Sequence, residues 1–208
     1  ALNADLVGVS FAVDAHEAIY VPVAHDATLA PQQLPREWLL QQLKPFLENQ
    51  NIKKVGHNLK YDINVLANYR ISLNGIAFDT LLESYVLQSG SRHDMDSLSL
   101  KYLGYKTITF EDVAGEGAKQ VTFDQVPLEK ATEYAAEDAD VTLQLHQVLW
   151  PQLEAIEGCK KTLLDIEIPL ITVLAHIERN GVLIDAALLR TQSQELSLRI
   201  QQLEKETF

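Results

Sequence analysis

The stretch NIKKVGHNLKYDINVLANY, Asn51 to Tyr69, decides the fold. Ile52-Lys53-Lys54-Val55 predict a short strand closed by Gly56, and Asn58 to Tyr69 predict a helix. Leu59, Ile63, Leu66 and Tyr69 make the apolar face of that helix, while Lys60, Asn64 and Asn68 point away. Asp62 breaks the pattern: it falls between Leu66 and Tyr69 on the apolar side, with Asn58 one turn earlier on the same flank. A strand feeding directly into an amphipathic helix is the building unit of an α/β layer fold.

Upstream, Leu6–Val13 and Ala18–Val23 predict an antiparallel pair around Asp14 to Glu17, and Pro35–Leu47 predict a helix. Downstream, a short apolar run at Gly75–Phe78 leads into a helix from Asp79 to Leu87. A further helix is expected over Asp96–Leu103, then a loop around Gly115–Gly117. A long helix follows from about Val126 to Trp150, stopped by Pro151. Ile166–Glu178 and Ala186–Glu206 read as helices around a turn at Asn180-Gly181. The expected organisation is an α/β domain over 1–152 and a helical segment, 153–208, that begins a different unit.

The helix ending at Trp150 carries a second misplaced acid. Ala131, Ala135, Thr142, Leu145 and Leu149 share one arc, and Glu133, Glu137, Asp140, Gln144 and Gln147 lie opposite. Asp138 projects into the apolar arc, roughly 20° from Ala131 and Leu149 at helical spacing. Tyr134 lies beneath it on the same face. A buried carboxylate needs a cation, a metal or strong donors. Capping is an alternative explanation for Asn58 and Asp62, which start a helix. Asp138 sits well inside its helix, so its alternative is a private salt bridge. Glu137 and Asp140 read as solvated face residues. Two such acids on separate helices invite one shared explanation, a divalent-metal site for phosphodiester chemistry.

Composition narrows the setting. With 208 residues, 47% hydrophobic, the chain has the size of one full domain plus an appendage. No segment is apolar enough to span a membrane, and no signal peptide is evident. Both ends read as cut, so a longer parent polypeptide is expected. A single cysteine, Cys159, excludes an intrachain disulfide and a multi-cysteine metal site, and suits a reducing cytoplasm. The net charge of −12 argues against a long electropositive groove for duplex nucleic acid. It leaves room for an enzyme that grips only a strand end.

Gly56-His57-Asn58-Leu59-Lys60-Tyr61-Asp62 resembles the second exonuclease motif of bacterial family A DNA polymerases. Tyr134-Ala135-Ala136-Glu137-Asp138 resembles the third, of the Tyr-x-x-x-Asp type. Phe78 to Tyr85, Arg92 to Leu98, Lys106 to Phe110 and Ile177 to Val182 are similar to the same family, in the same order. The chain therefore resembles the Klenow-type 3′–5′ proofreading exonuclease domain together with the opening helices of the polymerase domain.

The resemblance implies a ribonuclease H-like mixed sheet flanked by helices, and a four-carboxylate nuclease using two metal ions. Mg²⁺ is expected, with Mn²⁺ or Zn²⁺ as alternatives. It assigns Asp138 and Asp62 to the metals and gives Tyr134 the orientation of the attacking water. Asn58, Tyr61, Arg92 and Phe110 match positions near the terminal nucleotides, and His57 stands where some relatives have Gln. The bland alternatives are core packing for Phe110 and a surface salt bridge for Arg92. The family's first motif, a strand with Asp-x-Glu, precedes the segment that begins here at Leu2, so two of the four carboxylates are not in this sequence. That strand is central in such sheets, and its absence is expected to leave a gap.

The implied substrate is the 3′ end of single-stranded or frayed DNA. The implied partner is the polymerase domain of the same polypeptide, in a monomeric cytoplasmic protein. Activity of this chain alone is expected to be impaired. Two other readings stay open: a catalytically silent DNA-end-binding module, and a ribonuclease D-like RNA-trimming enzyme.

Overall fold

A computed structural model describes residues 1–207. Two strands open the chain, β1 (Gly8–Asp14) and β2 (Glu17–Pro22), followed by α1 (Arg36–Leu47). Next come β3 (Lys54–Gly56), α2 (Leu59–Asn68), β4 (Ile76–Asp79) and α3 (Thr80–Leu87). The short helix α4 (Met95–Leu98) runs on into a π-helical turn, Ser99–Leu103, and α5 (Phe110–Ala114) follows. The long helix α6 (Leu128–Glu154) precedes α7 (Glu157–Thr162), a second π-helical turn (Leu163–Glu167), α8 (Ile168–Asn180) and α9 (Ala186–Thr207).

The strands form two separate pairs. β1 and β2 are antiparallel, with Phe11 opposite Ile19 and the turn closed through His16 at φ +67°. β3 and β4 are parallel, pairing Val55 with Phe78 and Gly56 with Asp79. The loop into β4 requires Gly75: at φ +73° a Cβ there would run into the Ile52 carbonyl oxygen. Among the described residues no strand joins the two pairs. Helix α6 packs against β1, β2, β3 and α3, and so spans both pairs.

Three apolar clusters hold these pieces. Leu40, Leu59, Leu66, Ile71 and Leu73 join α1 and α2. Leu98, Val141, Leu145 and Leu149 join α4 to α6, and Ala114, Val126 and Ala131 anchor the start of α6. Fully burying one such Leu or Val contributes about 1.5–3 kcal/mol.

Two expectations are corrected. Pro151 does not stop α6, which continues to Glu154 with Leu149 and Leu153 fully buried. A proline in the last turn loses one backbone hydrogen bond, and burial of those leucines outweighs it. The polar face of α2 points to solvent only at Asn68. It packs against α8, and Asn64 is 0% exposed.

Candidate active site

Helix α6 delivers Asp138 from the middle of its 27 residues, too far from either end for the helix dipole to act. Burial pushes the Asp138 carboxyl up to about 7. The facing Tyr134 hydroxyl pulls it down, and the Glu137 and Asp96 charges add to the rise. No ion pair reaches Asp138 among the described residues, so the salt-bridge explanation has no cation here. Burial, with the Asp138 charge, raises the Tyr134 phenol well above its ordinary range. Tyr134 stands edge-on to Phe110 at 6.2 Å and lies 5.8 Å from Phe123, centroid to centroid. Phe110 packs beside Tyr134 and on the Ala114 cluster, the core packing that was its alternative.

A second group of candidate residues stands where α2 meets α3. Asn58 precedes α2 in the left-handed conformation, φ +62°, and its side chain makes no cap. Capping by Asn58, the alternative explanation, therefore does not hold. Asp79, 2% exposed, caps both helices instead. Its Oδ1 accepts from the N–H groups of Asn58 (3.1 Å), Leu81 (3.0 Å) and Leu82 (3.4 Å), and its Oδ2 from Leu59 (2.8 Å). A carboxylate receiving four N–H donors at two helix N-termini is fully satisfied.

Asp62 follows one turn into α2. It is exposed rather than buried as its helical phase predicts, because no described element covers that flank. Protein still walls its remaining sides. That desolvation lifts its carboxyl to about 6, eased by its own backbone N–H and reinforced by the Asp79 charge. His57 shares a 2.8 Å hydrogen bond with the Thr80 hydroxyl through Nδ1, and burial lowers its pKa against the pull of Asp79, Asp94 and Asp96. Tyr61 is 50% exposed beside it.

The predicted residues therefore fall into two groups. Tyr134, Asp138 and Phe110 stand together on α5 and α6, and His57, Asn58, Tyr61 and Asp62 together at the start of α2. The Asp96 charge acts on His57, on Tyr134 and on Asp138, and so lies within reach of both groups. Arg92 belongs to neither contact set: exposed, it pairs with Asp94 at 3.0 Å, the surface salt bridge that was its alternative. Glu137 and Asp140 are not free solvated acids. Glu137 accepts from the Ile108 N–H (2.7 Å) and the Tyr105 hydroxyl, and Asp140 from the His16 N–H (2.6 Å).

Sequence reasoning missed Asp79 and Asp96. Asp79 had a local signal as the residue opening a helix, but its grip on α2 is a contact across 20 residues. Asp96 had none. Among the described residues no three His, Cys, Asp or Glu side chains converge on one metal position. The oxygen donors Asp62 and Asp138 suit a hard divalent cation in kind, and fall short of a closed set in number.

A family profile described as 3′–5′ exonuclease, from DNA polymerase A, matches residues 1–154. The chain belongs to that family. DNA polymerase I of Pseudomonas aeruginosa is 59% identical over 211 residues, spanning 100% of this chain and 23% of that protein. DNA polymerase I of Rhizobium leguminosarum is 41% identical over 226 residues, spanning 100% of this chain and 22% of that protein. The chain thus spans about a quarter of the length of these curated relatives. A solved structure, the POL domain of Pol1 from M. smegmatis in complex with DNA primer-template and dNTP, superposes at a TM-score of 0.70. It shares 21% identity and covers 95% of this chain and 30% of that one, which shows the fold. The mixed α/β architecture agrees with a ribonuclease H-like exonuclease domain. No helix among the described residues is long and apolar enough to cross a membrane.

Proposed function

We propose that residues 1–152 carry one part of a 3′–5′ proofreading exonuclease site, which removes 3′-terminal nucleotides from single-stranded or frayed DNA. Residues 153–208 begin the polymerase domain of the same polypeptide. The observation that carries this reading is Asp138: a half-buried acid on an apolar helix face, lifted to about 7 and with no ion-pair partner among the described residues. Family membership and the presence of Asp62 at its motif position support it.

In this reading Asp138 and Asp62 hold divalent metal, Mg²⁺ by preference, and Mg²⁺ when bound supplies Lewis acidity at the scissile phosphate. The Tyr134 hydroxyl orients the attacking water. Phe110 and Tyr61 offer aromatic faces to the terminal bases, a sequence-tolerant contact. Asn58 and His57 contact the last nucleotides, and Arg92 turns from Asp94 to a phosphate. In this reading Asp62 and Asp138 are two members of a four-carboxylate set.

The test is release of mononucleotides from a labelled 3′-tailed oligonucleotide in Mg²⁺. The chain 1–208 should be slow, and a polypeptide extended upstream by about 30 residues, a strand and its turns, should be fast. Robust activity of 1–208, abolished by Asp138→Ala, would overturn the claim of an incomplete site. The alternative reading is a silent module that binds DNA ends. An extended polypeptide that binds single-stranded ends without cutting them would establish it.

A further inference from the structure

Helix α8 grips α2 from behind. The Glu178 carboxylate accepts from Lys60 Nζ at 2.6 Å through Oε1 and from Asn64 Nδ2 at 2.9 Å through Oε2. The neighbouring Arg179 guanidinium donates from one nitrogen to the Asn64 backbone carbonyl (2.9 Å) and to Asn68 Oδ1 (3.1 Å). One acid and one base, adjacent in sequence, thus hold three successive polar positions of α2. The Lys60–Glu178 ion pair alone would mean little, since both side chains are a third or more exposed. Asn64 changes that weighting. It is fully buried, its Oδ1 has no partner, and Glu178 supplies the hydrogen bond its side chain does make.

Lys60 and Asn64 each lie two residues from Asp62, about 160° around the helix at 100° per residue. The gripped face is therefore the back of the face that presents Asp62. This part of α2 is also held by the Asp79 carboxylate at its N-terminus and by Leu59 in the apolar cluster with Leu40.

We propose that the Glu178–Arg179 pair is a positioning clamp for Asp62, so that the helical segment after residue 152 sets the geometry of the exonuclease site. The clamp rests on the reading of Asp62 and Asp138 as nuclease carboxylates. Glu178 and Arg179 touch no reacting group; they act through the seating of α2. A consequence is that movement of α8, whatever drives it, moves Asp62.

The experiment has two arms. In the chain 1–208, amide hydrogen exchange is followed over residues 59–68 and 128–154 in Glu178→Ala, Arg179→Ala and Glu178→Gln. Exchange over 59–68 should rise about tenfold in each alanine variant, the scale of one charge-assisted hydrogen bond, with 128–154 unchanged. Glu178→Gln should recover most of the protection, because its Oε1 still accepts from Lys60 and, once the Asn64 amide turns over, its Nε2 donates to Asn64 Oδ1. In the upstream-extended polypeptide, kcat on a labelled single-stranded oligonucleotide in Mg²⁺ should fall about tenfold in the alanine variants with KM unchanged, and return in Glu178→Gln. Unchanged exchange over 59–68 overturns the clamp. Altered exchange with unaltered kcat overturns the positioning role. Full activity in an Asp138→Ala control overturns the exonuclease reading itself, and the clamp with it.

Discussion

The α2–α3 junction and the middle turn of α6 each enclose a carboxylate, and they treat it in opposite ways. Asp79 receives four backbone N–H groups. Asp138 faces one phenol and two repelling acids, and its pKa rises to about 7. The first arrangement ties two helices together. The second leaves a charge in want of a counterion. Burial by itself therefore does not single out a candidate functional acid; burial with too few donors does.

The comparison breaks most visibly in activity. In the upstream-extended polypeptide, Asp138→Ala should cut mononucleotide release by about a thousandfold, the several kcal/mol expected at a metal ligand. Asp79→Ala should act on stability instead. Loss of a carboxylate capping two helices should cost about 3 kcal/mol, read from urea unfolding of 1–208.

Asp138→Asn should have the reverse sign. Its folded pKa of about 7 lies above the unfolded value of about 4. The native state therefore binds the extra proton between these limits, and the group's stability is fully present below pH 4 and lost as pH rises through 7. Thermal unfolding at pH 8 should show Asp138→Asn more stable by about 1–2 kcal/mol, a Tm gain of about 2–8 °C. The gain should vanish at pH 4. The smallest effect is expected from Tyr134→Phe, a fall in turnover of about tenfold, one orienting hydrogen bond, with stability nearly unchanged.

Much of the fold was legible because apolar periodicity reports which face of an element is buried. The arc from Ala131 to Leu149 on α6 and the strand–helix passage at Gly56 are read directly from spacing. The site was half legible. Helical phase exposed Asp138 as an acid on the wrong face, but it also placed Asp62 in the core, where the structure leaves it open to solvent. Periodicity cannot show a polar face buried by a polar partner, so Asn64 under Glu178 was invisible. Nor can it show a cap that reaches across 20 residues, as Asp79 does to Leu59. Pro151 misled for the same reason: a local breaker signal was overridden by tertiary burial of Leu149 and Leu153.

The divided sheet has a colloidal consequence. β1 pairs only with β2, and β3 only with β4, among the described residues. Each pair therefore keeps a row of backbone N–H and C=O groups along one inner margin with no strand to satisfy them. Such margins are templates for intermolecular strand addition. Concentrated solutions of this chain should accordingly lose monomer by self-association, at a rate set by how often α6 lets the two pairs part.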